Sequence, residues 1–142
     1  MVMQMTLAGG KLLEVLRDEE IEDALWIRIQ KDQIILSEIL LVPLWKKSKN
    51  FKPGDYCQKT FKSKRKKGSR LLIKWLRHGH TLFQVELGNV YSTSFVVRDD
   101  DFSYPTDPMT MDAHSLWLDL VENGHAVEDK ELFRYRLLLS HD

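Results

Sequence analysis

The strongest constraint on the fold is a change of apolar period to two at Leu25. In the stretch LWIRIQ (25–30), every second residue is Leu or Ile, so the apolar side chains share one face of an extended strand. A second apolar run, QIILSEILLV (33–42), ends before Pro43, whose missing N–H discourages further pairing inside a sheet. The two runs predict a β-hairpin with a tight connection at Lys31 and Asp32.

Three further runs predict a meander of antiparallel strands. They are RLLIKWLR (70–77), TLFQVELG (81–88) and VYSTSFVV (90–97), and all are rich in β-favouring residues. Short glycine-containing breaks at 78–79 and 88–89 are typical of connections between antiparallel neighbours. The last run, LFRYRLLLS (132–140), also has the composition of an extended segment.

One amphipathic helix is predicted in the second half of the chain. Asp112 can cap its start and Gly124 can end it. The apolar residues between them recur at i, i+3, i+4, i+7 and i+8: Ala113, Leu116, Trp117, Leu120 and Val121. Near the start of the sequence, Leu12, Val15 and Leu16 also have helical spacing, which predicts a short helix there.

These elements predict one α+β domain spanning residues 1–142. Its main part is a mainly antiparallel β-sheet of about five strands, a meander or small barrel-like sheet, with the C-terminal-half helix packed on it to bury both apolar surfaces. The hydrophobic fraction of 43% and the charged fraction of 30% are ordinary for a globular domain. A chain of 142 residues can bury a sizeable core without disulfides.

The stretch FKPGDYC (51–57) precedes the predicted meander. Over these few residues it resembles the Gly-Asp entry into small β-barrel modules of the Tudor, SH3-like and OB type. A complete aromatic cage or base-stacking motif does not accompany it. The resemblance implies a barrel-like sheet and assigns no family.

Charge is strongly segregated along the chain, although 21 Lys and Arg balance 21 Asp and Glu overall. Between residues 46 and 80, thirteen Lys and Arg are opposed by Asp55 alone, a local net charge of +12. Such a surplus attracts polyanions, because each cation that neutralises a phosphate releases a condensed counterion. Residues 46–69 have no sustained apolar period, so we expect a basic, mobile loop within the domain.

The basic segment predicts a non-enzymatic binding protein that contacts DNA or RNA phosphates without reading their sequence. Aromatic rings between the cations can stack on unpaired bases. In an extended strand, Arg70 and Lys74 would share one face and Arg77 the other. The predicted contact residues are Lys62, Lys64, Arg65, Lys66, Lys67, Arg70, Lys74 and Arg77, with Phe61 and Trp75 as stacking residues.

Other interpretations of the same segment stay open. It can be a solvated loop, and KRKK (64–67) also fits a short nuclear-targeting pattern. It can fold against the acidic stretches RDEEIED (17–23) or RDDD (98–101), which would neutralise it internally. The chain can also be a protein-interaction or adaptor module, whose segregated charges meet separate partners or a second copy of itself.

Candidate catalytic and metal-binding residues are few. The three aspartates at 99–101 suit Mg²⁺, which leaves a metal-dependent enzyme as a third hypothesis. His78 and His80 lack the further ligands that zinc requires, and the sequence places no histidine beside Cys57. The common nucleotide-binding and hydrolase motifs are absent from the sequence. We expect no cofactor, metal or catalytic residue.

Two features bear on the cellular compartment. The single cysteine cannot form an internal disulfide, and MVMQMTLAGG lacks the basic flank and apolar core of a secretory signal. The longest apolar run, 34–45, is interrupted by polar residues and is too short to span a bilayer. We expect an intracellular protein without membrane contact, cytoplasmic or, in a eukaryote, nuclear.

Overall fold

A computed structural model describes residues 3–46, 51–63, 66–78, 88–93, 111–131 and 134–139. Within these ranges the chain forms eight strands and two helices, and a short 3₁₀ turn at Ala8–Gly10 joins the first two strands. The elements in chain order are β1 (Met3–Leu7), β2 (Lys11–Arg17), β3 (Leu25–Lys31), β4 (Ile34–Pro43), β5 (Tyr56–Ser63), α1 (Lys66–His78), β6 (Val90–Tyr91), α2 (Met111–Glu122), β7 (Ala126–Asp129) and β8 (Arg134–Leu137).

The strands form one mainly antiparallel sheet in the order β1-β2-β3-β4-β5-β6-β8-β7. The described pairs are antiparallel except β5 with β6, which run parallel. The predicted fold class is confirmed: the chain is a single small domain with a mainly antiparallel sheet and a helix in its C-terminal half. The meander runs through β1 to β5, which are sequential neighbours.

The predicted hairpin is confirmed as β3 and β4, paired from Leu25 opposite Leu41 to Lys31 opposite Ile34. Its turn is Asp32 and Gln33, one residue later than expected. Both turn residues have positive φ, 52° and 67°, as in the type I′ turn. That turn is favoured in two-residue hairpins because its backbone twist matches that of the flanking strands.

The short helix predicted from Leu12, Val15 and Leu16 is wrong, because these residues lie in strand β2. Leu13 and Val15 are fully buried on the sheet face that carries the main core, while Leu12 and Leu16 are half-buried on the other face. A strand with apolar residues on both faces lacks a clean alternation. Its apolar spacing therefore imitates that of a helix.

The strand predicted at RLLIKWLR is also wrong, because this run forms most of helix α1. Leu72 and Leu76 are fully buried and Ile73 nearly so, and α1 packs against β3, β4 and β5. Of the other two runs of the predicted meander, 81–87 lies outside the described residues. Val90 and Tyr91 form β6 between β5 and β8.

The loop predicted across residues 46–69 is replaced over much of its length by regular structure. Residues 56–63 form β5, which pairs with β4 from Ser63 opposite Ser37 to Tyr56 opposite Pro43. Helix α1 then begins at Lys66. Residues 47–50 and 64–65 lie outside the described part of the chain. Lys59 and Lys62 of this segment therefore lie on a strand, and Lys66 and Lys67 lie on a helix.

Both helices pack on the main core of the sheet. The predicted C-terminal-half helix is confirmed as α2, with Trp117 and Leu120 buried and Asp119 and Glu122 exposed. Fully buried members of the core include Leu13, Val15, Ile27, Ile29, Ile39, Leu41, Leu72, Leu76, Trp117 and Leu137. Neither described helix has the length and apolar content that crossing a bilayer requires.

Candidate nucleic-acid interface

Helix α1 gathers cations of the basic segment on one side. Lys66, Lys67, Arg70 and Lys74 are spaced three or four residues apart, so the helical period places these positions within an arc of about 100°. The Arg70 and Lys74 side chains are exposed. We call these four positions the basic helix face. The helical spacing of these cations was visible in the sequence, and Leu, Lys and Arg, which make up most of the run 70–77, favour helices.

Charges on the basic helix face are not offset within the helix. Helix α1 contains no Asp or Glu, and its first turn has no acidic residue. The partial positive charge of the helix N-terminus therefore adds to the charge of the nearby lysines. In the described part of the chain, neither Arg70 nor Lys74 takes part in an ion pair. The face is a local concentration of positive charge.

Arg77 falls within the same arc of α1, but its guanidinium holds the fold together, so we do not count it in the basic helix face. Its Nε donates a hydrogen bond to the Leu138 carbonyl at 2.7 Å, and its Nη1 lies 2.6 Å from Nδ1 of His125. Because a guanidinium can only donate, Nδ1 of His125 accepts. These bonds join α1 to the residue after β8 and to the start of β7. We therefore remove Arg77 from the predicted contact residues.

Lys62 lies on the opposite side of the sheet from α1. Phe61 is buried in the core that α1 covers, and successive residues of a strand point to opposite faces. Lys62 is the cross-strand neighbour of Glu38, whose Oε2 accepts a hydrogen bond from Nε of Arg28 at 2.9 Å. The fold thus separates Lys62 from the helix cations and places it beside a carboxylate.

Both predicted stacking residues pack against the main core. Phe61 is only 5% exposed and belongs to the main core. Trp75 is half-buried and packs against the same core. Lys64 and Arg65 lie outside the described residues. Of the ten predicted residues, the structure brings Lys66, Lys67, Arg70 and Lys74 together on one helix face.

One cation of the basic segment is neutralised by the chain's own carboxylates. Nζ of Lys46 lies 2.7 Å from Oδ2 of Asp23 and 3.4 Å from Oε2 of Glu22. The hydrogen bond between Lys46 and Asp23 raises the pKa of the lysine and lowers the pKa of the aspartate. The idea that the segment folds against RDEEIED is therefore confirmed at Lys46, and it does not extend to Arg70 or Lys74 within the described residues.

The acidic connection between β2 and β3 is organised by Asp18. Its Oδ2 accepts hydrogen bonds from the backbone N–H of Ile21 at 2.8 Å and of Glu20 at 3.1 Å. Its Oδ1 accepts the indole Nε1–H of Trp26 at 2.9 Å. These bonds, the one from Ile21 first, lower the pKa of the Asp18 carboxyl because they favour its charged form.

This arrangement predicts an acid titration that Trp26 reports. Because the folded pKa of Asp18 is lowered, its stabilising contribution is present above the ordinary value of 3.8 and is lost as pH falls through the lower folded value. We expect the NMR signal of the Trp26 indole N–H to shift with a midpoint below pH 3.8. The Asp18→Asn variant should abolish that step, and a midpoint at or above 3.8 in the wild-type protein would contradict the assignment.

The described residues contain no group of three or more His, Cys, Asp or Glu side chains that can hold a metal ion. The aspartates at 99–101 and His80 lie outside those residues, so the magnesium hypothesis stays a prediction. Cys57 is buried in β5, and Nη1 of Arg134, in β8, donates to its Sγ at 3.1 Å. That contact ties β8 to β5.

Comparisons with known proteins add no family: neither a protein-family model nor a curated protein sequence matches the chain. Function is therefore inferred from the geometry and charge of the basic helix face.

Proposed function

We propose that this protein binds nucleic acid through phosphate contacts made by the basic helix face. The observation that carries the proposal is the exposure of Arg70 and Lys74 on a helix that has no acidic residue. Positions 66 and 67 add two lysines on the same side, one turn before Arg70. Lys and Arg placed in this way neutralise phosphates and release condensed counterions, which is the main source of sequence-independent affinity.

The proposed contacts position a nucleic acid without reading its bases. Helix α1 contains no Asn or Gln, the side chains that recognise adenine through paired hydrogen bonds. Lysine contacts to phosphate oxygens fix orientation and carry no direct sequence information. We therefore expect similar affinities for ligands of different sequence.

The proposal is tested by fluorescence anisotropy with labelled oligonucleotides over a range of salt concentrations. For four phosphate contacts on a duplex, log K should fall against log salt with a slope of about −3.6. Replacing Arg70 and Lys74 together by alanine should reduce that slope by about 2 and weaken binding at low salt. A matched control is the Lys31→Ala, Lys130→Ala variant, which removes two exposed lysines from outside the segment.

The control separates a local binding face from a general charge effect, because both double variants change the net charge by the same amount. We expect the control variant to keep the wild-type slope. Equal losses of affinity in the two double variants would show that binding depends only on the net charge of the protein. If the wild-type protein does not bind even at low salt, the proposal is wrong and the protein-interaction hypothesis replaces it.

A further inference from the structure

The aromatic residues in and beside the basic segment pack against apolar clusters of the domain. Proteins that bind single strands without sequence preference stack successive bases on accessible aromatic rings. Tyr56 and Phe61 are buried, and Trp45 meets Tyr56 edge-on at a centroid distance of 5.2 Å. Phe51 and Trp75 are half-buried and pack against apolar clusters. All five rings thus pack on apolar clusters of the domain, which reduces the ring area left for stacking on an unpaired base.

The backbone positions that carry the cations, in contrast, form a short row fixed by helix α1. With a rise of 1.5 Å per residue, positions 70 and 74 are about 6 Å apart along the helix axis, and positions 66 and 74 about 12 Å. The row is rigid because the opposite side of α1 packs on β3, β4 and β5 through Leu72 and Leu76. Charges carried on a rigid row of positions gain most from a ligand whose phosphates are also dense and rigidly held.

A duplex has both properties. Double-stranded DNA carries one negative charge per ~1.7 Å of helix axis, about twice the charge density of one of its strands. A flexible single strand must also lose conformational freedom to align with a straight row of cations, and stacking on this segment's aromatic rings would not compensate for that loss. We propose that the ligand of the basic helix face is double-stranded nucleic acid, held by its phosphate backbone. This inference rests on the proposed function.

The expected preference for a duplex over a single strand follows from the salt dependence of binding. Four contacts give slopes of log K against log salt of about −3.6 for a duplex and about −2.8 for a single strand. With equal affinities at 1 M salt as the reference, the difference of about 0.8 over the roughly 20-fold dilution to 50 mM salt amounts to about tenfold in affinity. We therefore expect the duplex to bind about tenfold more tightly than a single strand near 50 mM salt.

The test compares a duplex with an unstructured single strand that has the same number of phosphates, oligothymidine for DNA and oligouridine for RNA. Duplex DNA and duplex RNA share the phosphate chemistry and are titrated separately, so that the two arms identify the source of the ligand. The Arg70→Ala, Lys74→Ala variant is titrated in parallel and should lose affinity for the preferred duplex. The Trp75→Leu variant should leave the duplex affinity within about twofold of wild type, because Trp75 makes no stacking contact.

The outcomes are distinguishable. Tighter binding of either duplex than of its matching single strand supports the inference. Equal or tighter binding of the single strand overturns it and leaves the proposed function in place. Should Trp75→Leu fail to fold, quenching of tryptophan emission by oligothymidine in the wild-type protein would show stacking and also overturn it. Failure of every ligand to bind at low salt overturns both the inference and the proposed function.

Discussion

Replacing Trp117 by alanine is expected to lower the free energy of unfolding by about 3–5 kcal/mol. Trp117 is 1% exposed, stacks on Tyr135 and donates its indole N–H to Oε1 of Gln58 at 3.0 Å. Gln58 is itself buried, so the substitution leaves both a cavity and an unsatisfied amide oxygen. Urea denaturation followed by circular dichroism measures the change.

Two further variants of α2 make this expectation specific. Leu118 is the next residue and is 41% exposed, so Leu118→Ala should change stability by less than about 0.5 kcal/mol. Trp117→Phe keeps an aromatic ring but removes the donor to Gln58, and an intermediate loss is expected. A loss below about 1 kcal/mol for Trp117→Ala would show that α2 is not anchored through this residue.

Replacing Asp55 by alanine is expected to lower the free energy of unfolding by about 3 kcal/mol, because hydrogen bonds to a buried charged group are strong. The side chain is 4% exposed. Its two carboxylate oxygens accept the backbone N–H groups of Lys52 and Asn89, each at 3.0 Å. The carboxylate thus connects the turn before β5 to the residue before β6. Asp119→Ala, at an exposed position on α2, is the matched control and should be nearly neutral.

The close packing around Asp55 gives this expectation a second test. A Cβ added at Gly88 would lie 2.9 Å from Oδ1 of Asp55 and 3.1 Å from the carbonyl carbon and oxygen of Gly54. Gly88→Ala should therefore destabilise the protein by about 1–3 kcal/mol. The Asp55→Ala variant lacks Oδ1 and therefore part of that clash. In that variant, Gly88→Ala should lower the free energy of unfolding by less than it does in the wild-type protein. If the stability losses of Asp55→Ala and Gly88→Ala were strictly additive, the close contact between the two residues would be contradicted.

The sequence predicted elements well where the apolar period was unambiguous. Strand β3 has Leu25, Ile27 and Ile29 on one face only, and α2 repeats its apolar residues over two turns, so each pattern fits a single structure. Helix α1 was missed because its apolar run is short and contains Ile73 and Trp75, which also favour strands. Its buried residues, Leu72, Ile73 and Leu76, fit a helix face, but only packing on β3 to β5 decides between the two conformations.

The candidate site was predicted as a set of charges and not as a surface. The +12 segment was evident from the sequence, and four of its predicted residues share the basic helix face. The sequence did not show that Arg77 and Phe61 differ from these four residues. Arg77 meets partners that are distant in sequence, with His125 48 residues away and Leu138 61 away. Phe61 is assigned to the core only by its place in β5.

Local pattern by itself determined that this chain forms a mainly antiparallel domain, that β3 and β4 form a hairpin, that α2 is helical and where positive charge is concentrated. These properties depend on neighbours a few residues apart, which one sequence displays directly. Tertiary structure alone decided that the basic run is a helix, and that Lys46 is neutralised while Arg70 and Lys74 are exposed. The reason is that burial and charge pairing depend on contacts between residues distant in sequence, and local spacing does not encode those contacts.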